Sequence, residues 1–198
     1  MNFSVNKSVS QSVSRLLNFV SLALLLLSIA APAAGEVLVM PTPDAGLQPR
    51  LVTATDGSVH LLYFKKRLSA PSAREGNLYY REYLREERRF GLPIKVSSSA
   101  FDLQTFSIAR SSMAIGGDGR AHVIWYLPRE DSYYYSRSDA ERSQFETQRS
   151  LVSNYIEGVD AAADVAAEGN QVAVVWGAGA LSAEQERTVY ARFSDDSG

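Results

Sequence analysis

The polar and apolar residues of the chain follow one pattern three times. Each copy has a short β-prone run, an acidic residue followed by glycine, and a second run that is rich in Val, Ile, Leu or Ala and reaches an aromatic residue. The copies are residues 49–64, 112–126 and 163–177. Such a turn pair between two β-prone runs predicts a β-hairpin, because glycine accepts the positive φ that tight turns demand. The second strand of each hairpin is apolar enough to be buried on both faces.

A third strand is predicted after each hairpin, at 77–83, 132–138 and 188–194. Aligning Tyr79, Tyr134 and Tyr190 gives a repeat of about 55 residues. A fourth extended stretch follows twice, at 92–97 and 146–152. The sequence therefore predicts an all-β fold, a β-propeller of which about three four-stranded blades are present. A generic β-sandwich is the alternative, but it does not predict this fixed period.

The start of the chain differs from the repeats. Lys7 and Arg15 precede an almost wholly apolar run, residues 16–31, which small residues and Pro32 follow. This is the layout of a secretory signal peptide. The run of about 16 residues is shorter than the roughly 20 that a membrane-spanning helix needs. We expect a cleaved signal peptide at 1–33, a linker at 34–48, a partial propeller at 49–198 (repeats at about 49–100, 101–156 and 157–198), no stable membrane span, and a secreted or periplasmic protein.

Composition narrows the available chemistry. The chain has no cysteine, which excludes disulfide scaffolds, Cys-ligated metals and thiol catalysis. Two histidines leave little material for a His-rich metal site, so neither a metal nor a cofactor is expected. The net charge is −2, and loss of Lys7 and Arg15 with the leader makes the mature chain more acidic. This balance disfavours a nucleic-acid partner.

One turn motif follows the third strand of the repeats. Residues 194–198 match the opening of Ser-x-Asp-x-Gly-x-x-(Trp/Phe), the Asp-box or bacterial neuraminidase repeat. In this turn the Asp side chain accepts backbone N–H bonds and the Gly takes a positive φ. The motif positions that this copy fills are Ser194, Asp196 and Gly198.

Two weaker copies stand at the same place in the earlier repeats. Repeat two keeps Ser138 and Phe145 at the motif spacing, with Ala140 and Arg142 at the Asp and Gly positions. Repeat one keeps only the spacing, over residues 83–90. The recurrence after the third strand makes these turns a folding feature, which supports a fold better than an activity.

On these motifs, residues 49–198 resemble the secreted bacterial exo-α-sialidase-like propellers, also called BNR-repeat or Asp-box propellers. The resemblance implies six blades in the full protein, so this chain would be an N-terminal fragment that needs C-terminal blades to close the ring. It also implies an exported glycoside hydrolase acting on glycans with terminal anionic sugars. A non-catalytic propeller that binds glycans or proteins is the alternative.

The resemblance also implies a site. Sialidases hold the substrate carboxylate with three arginines, whose planar guanidinium groups match a carboxylate, and use a Tyr–Glu pair and an Asp acid/base. The family's Phe-Arg-Ile-Pro segment is absent here, and the nearest counterpart of its arginine is Arg50. Arg110 and Asp160 stand near the corresponding places in the next repeats. We predict that Arg50 and Arg110 bind the anionic sugar and that Asp160 is the acid/base; solvated strand-end or loop charges are the alternative.

No Tyr–Glu pair is identifiable from the sequence. His60 and His122 occupy the same strand position in two repeats, where the third repeat has Ala173. A recurring position favours a packing or hydrogen-bonding role over catalysis. The run at 133–135 alternates faces along a strand, which is typical of cross-strand packing.

Overall fold

The computed structural model describes residues 37–69, 72, 74–104, 110–127, 129–130, 132–151, 163–178 and 188–198. The chain divides into two units, Met1–Met40 and Pro41–Gly198. In the first unit the described residues are 37–40, which are exposed and lack regular secondary structure. The predicted signal peptide at 1–33 lies outside the described residues. Among those that are described, none belongs to a helix long and apolar enough to cross a bilayer.

The described residues of the second unit form three antiparallel sheets in chain order, which we call blades 1, 2 and 3. Blade 1 contains β1 (Leu47–Thr53), β2 (Val59–Lys66), β3 (Glu75–Leu84), β4 (Arg89–Phe90), β5 (Ile94–Lys95) and β6 (Phe101–Asp102). Blade 2 contains β7 (Ser112–Ile115), β8 (Ala121–Leu127), β9 (Ser132–Arg137) and β10 (Arg149–Ser150). Blade 3 contains β11 (Ala163–Glu168), β12 (Gln171–Ala178) and β13 (Thr188–Ser194). The predicted all-β, propeller-type fold with about three blades is confirmed.

The hairpin turns have the backbone conformation that their glycines predict. The φ angles are 81° at Gly57, 84° at Gly119 and 57° at Gly169. The loops nevertheless differ in length, because Thr53 pairs with Val59 in blade 1 whereas Glu168 pairs directly with Gln171 in blade 3. The third loop therefore has two residues and begins with its glycine, as a type II′ turn requires.

The aromatic residues that define the repeat lie opposite one another across the strands. In each blade, the second-strand aromatic that follows the aliphatic residues pairs with the aligned tyrosine of the third strand. The pairs are Tyr63 with Tyr79, Trp125 with Tyr134, and Trp176 with Tyr190. This register confirms the predicted alignment of the three repeats.

The fourth strands are shorter than predicted. Of the predicted stretch 92–97, strand pairing with β3 covers Ile94–Lys95, and of the predicted stretch 146–152, strand pairing with β9 covers Arg149–Ser150. Pro93 has no N–H to donate to a ladder, which limits the first of these strands. The chain remains extended beyond the second, since Leu151 N donates to Tyr133 O at 3.0 Å.

The core lies between the blades. One cluster joins the Leu62 face of blade 1 to blade 2, and a second joins the Ile124 face of blade 2 to blade 3. Strand β8 serves both clusters: Val123 and Trp125 point toward blade 1, and Ile124 points toward blade 3. This explains its continuous apolar sequence, because alternate residues of a strand face opposite sides.

A short segment before β1 packs on the other face of blade 1. It contains a 3₁₀ turn (Pro43–Ala45) in which Asp44 has a φ of 58°. Tyr63 donates its hydroxyl to Asp44 Oδ2 at 2.5 Å, and Arg81 Nη2 donates to the same oxygen at 2.7 Å. The Tyr63 hydrogen bond and the Arg81 cation lower the pKa of Asp44 to about 2. This segment and the start of β1 fall within residues 34–48, the predicted linker.

Candidate functional site

The first strands of the three blades, β1, β7 and β11, lie next to one another. Each contributes a polar side chain from the same register position, the one opposite the residue that precedes the second-strand aromatic. These positions pair Arg50 with Leu62, Ser112 with Ile124, and Asp164 with Val175. We call Arg50, Ser112 and Asp164 the first-strand cluster.

The cluster centres on one carboxylate oxygen. Arg50 Nη2 lies 3.6 Å from Asp164 Oδ1. The hydroxyl of Ser112 donates to the same oxygen, and so does the backbone N–H of Val165, at 3.0 Å. Ser112 is buried, whereas the side chains of Arg50 and Asp164 are 44% and 63% exposed. A cation and an anion are thus presented together to solvent over a buried hydroxyl.

An irregularity in β1 positions Arg50. The register shifts between Leu47 and Arg50, so that Gln48 and Pro49 oppose a single residue of β2. Gln48 has a φ of 48°, and its side-chain amide donates to Gln104 O at 2.7 Å. Such bulges redirect the side chains that follow them.

The predicted site residues are only partly brought together. Arg50 belongs to the cluster. Arg110 is exposed and lies two residues before Ser112, ahead of β7. Asp160 lies outside the described residues. The assignment of Arg110 and Asp160 to substrate binding and acid/base chemistry stays a prediction.

Ser112 and Asp164 were missed by sequence reasoning for a definite reason. The prediction used residues nine before the turn glycine in repeats two and three, whereas Ser112 lies seven before it, as Arg50 does, and Asp164 lies five before it, because the third hairpin loop is shorter than the other two. Counting instead from the aromatic of the second strand, through its antiparallel partner, would identify both residues.

His60 lies inside a chain of hydrogen bonds that runs from the buried Tyr80 to the exposed Asp56. Its Nδ1 is 2.7 Å from the Tyr80 hydroxyl, and its Nε2 is 2.7 Å from Ser58 Oγ. The Ser58 hydroxyl is in turn 2.5 Å from Asp56 Oδ1. Burial and the nearby charge of Arg142 lower the pKa of His60, which favours the neutral ring. Because the Ser58 hydroxyl donates to Asp56, it accepts from Nε2–H of the neutral His60 ring, and the Tyr80 hydroxyl donates to Nδ1. This is the reverse of a serine nucleophile, which donates its proton to the histidine that activates it.

His122 repeats the first half of that arrangement. It is fully buried, and its Nδ1 lies 2.6 Å from the Tyr135 hydroxyl. Its Nε2 has no hydrogen-bond partner within the described ranges. Burial lowers the pKa of His122 to about 4. The predicted hydrogen-bonding role of both histidines is confirmed, and blade 3 replaces both partners together, with Ala173 and Ala191.

The Asp-box turn of blade 3 is closed by its serine. Ser194 Oγ donates to Asp196 Oδ1 at 2.5 Å and accepts from Gly198 N at 2.8 Å. This hydroxyl lowers the pKa of Asp196. Gly198 has the predicted positive φ, 95°. The hydroxyl, and not the carboxylate, accepts the backbone N–H across the turn.

The turn of blade 2 keeps this geometry with different residues. Ser138 and Phe145 form an antiparallel bridge. Asp139, one residue before the motif's Asp position, accepts from Ser143 N at 2.7 Å and Ser143 Oγ at 2.6 Å. Arg142 takes the glycine position with a φ of 54°. Both turns therefore have a structural role at the end of the third strand.

Comparison with known proteins gives matches among solved structures. A thermostable family-43 glycoside hydrolase matches with 12% identity and a TM-score of 0.43, over 77% of this chain and 55% of that one. The polysaccharide lyase Uly1 matches with 13% identity and a TM-score of 0.45, over 75% of this chain and 40% of that one. The chain thus spans about half of the length of these two structures. No protein-family model and no curated protein sequence matches it.

Proposed function

We propose that this chain forms the first blades of an exported propeller that binds carbohydrate carrying an anionic group, at the place where its first strands meet. The observation that carries the proposal is the first-strand cluster, in which an exposed Arg50 lies beside Asp164 at equivalent positions of different blades. In this proposal further blades complete the ring and the site.

The cluster has the chemistry that such a ligand needs. The guanidinium group of Arg50 is planar and matches a carboxylate with two parallel N–H donors. The exposed carboxylate of Asp164 is an acceptor for sugar hydroxyls. Because the chain has a net charge of −2, an anionic ligand depends on this local cation and not on the overall field.

The second candidate function is a sialidase-like glycoside hydrolase, of which this chain is the N-terminal part. The observation that favours it is the exposed Asp164 carboxylate beside the predicted anion-binding Arg50. Under this hypothesis Asp160 is the predicted acid/base, and the Tyr–Glu pair and the remaining arginine come from further blades. Turnover by the present chain alone is not expected, because glycoside cleavage uses two cooperating groups.

Binding is tested by titrating the full chain with 3′-sialyllactose and with lactose in a calorimeter. We expect preference for the sialylated sugar, and a loss of at least about ten-fold in its affinity in Arg50→Ala, since a charge-assisted bidentate contact is strong. Arg89→Ala, which removes an exposed arginine paired with Glu87, is the matched control. Equal affinity of wild type and Arg50→Ala would contradict the proposal.

The hydrolase and export hypotheses need separate measurements. A fluorogenic sialoside assay on a longer form that carries further blades tests hydrolysis, and absence of released fluorophore would exclude the sialidase hypothesis. N-terminal sequencing of the protein secreted by a bacterial host tests export, with Ala34 expected as the first residue. Retention of Met1 in the exported fraction would contradict signal cleavage.

A further inference from the structure

We infer that Asp164 is an internal counter-ion that covers Arg50, and that a carboxylated sugar binds by taking its place. The ligand class in this inference rests on the proposed function. The covering contact itself rests on the geometry of the first-strand cluster and can be tested without any glycan.

The Asp164 carboxylate is held in place independently of Arg50. Ser112, which is buried, and the N–H of Val165 both donate to Oδ1. These two donors hold the carboxylate oxygen that lies nearest to Arg50. Arg50 therefore meets an anion whose position is set by blades 2 and 3.

The contact with Arg50 is an ion pair and not a two-bond fork. Its 3.6 Å separation is longer than the 2.7–2.9 Å of a charge-assisted hydrogen bond. In the part of the chain that the structure describes, no hydrogen bond involves the Arg50 guanidinium, and its side chain is 44% exposed. The donors that recognise a carboxylate bidentately are thus still available, while the Asp164 charge partly satisfies the cation.

This arrangement makes Asp164 a specificity-determining residue. A ligand carboxylate that approaches Arg50 is repelled by the like charge of Asp164. To displace Asp164, it must make the shorter, bidentate contact with the guanidinium group that Asp164 does not make. Ion pairs between exposed groups contribute little, so the cover reduces affinity modestly, by about two- to five-fold. A neutral sugar does not compete for the guanidinium, and the amide oxygen of Asp164→Asn still accepts from its hydroxyls, so this variant leaves its binding unchanged.

Chemical modification tests directly whether Asp164 shields the guanidinium group of Arg50. Arg50 in the full chain is modified with phenylglyoxal, and its rate is followed by peptide mass spectrometry with exposed Arg110 as an internal reference. Asp164→Asn keeps acceptors for Ser112 and Val165 and removes the charge, so we expect Arg50 to react about two- to five-fold faster. Asp164→Ala gives the same direction if the asparagine variant does not fold. Glu87→Gln, which removes the counter-ion of Arg89, is the matched control and leaves the Arg50 rate unchanged. An unchanged rate in both Asp164 variants would overturn the inference.

Ligand binding tests the displacement. We expect Asp164→Asn to bind 3′-sialyllactose about two- to five-fold more tightly than wild type, with lactose binding unchanged. Weaker or equal binding of the sialylated sugar by the variant would overturn the displacement. If wild type and Asp164→Asn bind neither sugar while Arg50 still reacts faster in the variant, the proposed function fails and the cover stands.

Discussion

At each interface between neighbouring blades, one third-strand side chain contacts the turn of the next blade, but the two side chains carry opposite charges. Between blades 1 and 2, Glu82 accepts from Arg142 Nη2 at 3.2 Å, and Arg142 belongs to the turn after β9. Between blades 2 and 3, Arg137 Nη1 donates to Ser197 O at 2.6 Å, and Ser197 belongs to the turn after β13. Glu82 and Arg137 are equivalent, since each pairs across its sheet with the buried histidine.

The difference explains why the Asp-box of blade 2 departs from its motif. Blade 1 presents the carboxylate of Glu82, and the turn of blade 2 that contacts it has Arg142 at the glycine position. Arg142 takes a left-handed backbone conformation there. Where blade 2 presents a cation, the next turn offers a backbone carbonyl and keeps Gly198. A Cβ at Gly198 would lie 2.3 Å from the Tyr135 hydroxyl, so no side chain fits there without movement. The turn sequence therefore follows from the blade that it contacts.

The interfaces also differ in how closely their hairpins approach. Gly117 N donates to Gly169 O at 2.8 Å, which joins the first hairpins of blades 2 and 3 through their backbones. A Cβ at Gly117 would lie 2.7 Å from Gly169 Cα. Interface 2/3 thus needs a glycine at Gly117, beside the Arg137 contact, whereas interface 1/2 has a pair of oppositely charged side chains.

The largest effect is expected from Gly117→Ala. The added methyl meets backbone and not a flexible side chain, so the hairpins must separate, at about 3 kcal/mol of unfolding free energy. Gly169→Ala is the matched control, because its Cβ would meet nothing within 4 Å. Its positive φ of 57° alone should lower the free energy of unfolding by about 1 kcal/mol. Urea denaturation of the full chain measures both. Equal losses in the two variants would show that the close approach is unimportant.

Arg142→Ala is expected to cost about 2 kcal/mol, because it leaves the partly buried Glu82 without its cation. Arg142→Gly removes the same pair but relieves the left-handed backbone, so it should cost about 1 kcal/mol less. Denaturation of both variants and of Glu82→Gln separates the two contributions. If Arg142→Gly were as stable as wild type or more so, the charged pair would not stabilise interface 1/2.

The hairpins and their registers could be predicted from the sequence because their causes are local. Glycine at a turn and an aromatic at the end of an apolar strand, as at Gly119 and Trp125, act within a few residues. The pairing of Glu82 with Arg142 could not be predicted, since it joins residues from different repeats and replaces the glycine that the turn pattern of residues 194–198 has at this position. The cluster position of Asp164 required the loop length of blade 3 and the bulge before Arg50, which a count of residues does not reveal.

The buried histidines predict a specific pH dependence. In the folded chain the pKa of His122 is about 4, against 6.5 ordinarily, and that of His60 is also lowered. As the pH falls, the unfolded chain therefore binds protons before the folded chain does. Between pH 6.5 and 4, His122 lowers the free energy of unfolding by up to about 1.4 kcal/mol per pH unit. The charged or titratable groups around His122 are Asp118, Arg120, Arg137, Arg149 and Tyr135.

The carboxylate of Asp44 affects stability in a second pH range, below that of the histidines. Asp44, whose pKa is lowered from 3.8 to about 2, contributes stability that is present above pH 3.8 and lost toward pH 2. His122→Phe should reduce the change in unfolding free energy between pH 6.5 and 4 and leave the change between pH 3.8 and 2 as it is. His60→Phe, the matched variant in interface 1/2, should reduce the change between pH 6.5 and 4 as well. A wild-type stability that does not change between pH 6.5 and 4 would contradict neutral histidines at both interfaces.

The smallest expected effect concerns the second nitrogen of each histidine. His60 Nε2 is bonded to Ser58, whereas His122 Nε2 has no partner among the described residues. Ser58→Ala should make blade 1 resemble blade 2 at this point and cost about 1 kcal/mol, the worth of one buried hydrogen bond. Thr55→Ala, at an exposed position of the same loop, is the control for removing a hydroxyl. If Ser58→Ala costs no more than Thr55→Ala, the Ser58 hydroxyl does not stabilise the buried ring of His60, and this hydrogen bond makes no difference in stability between the two interfaces.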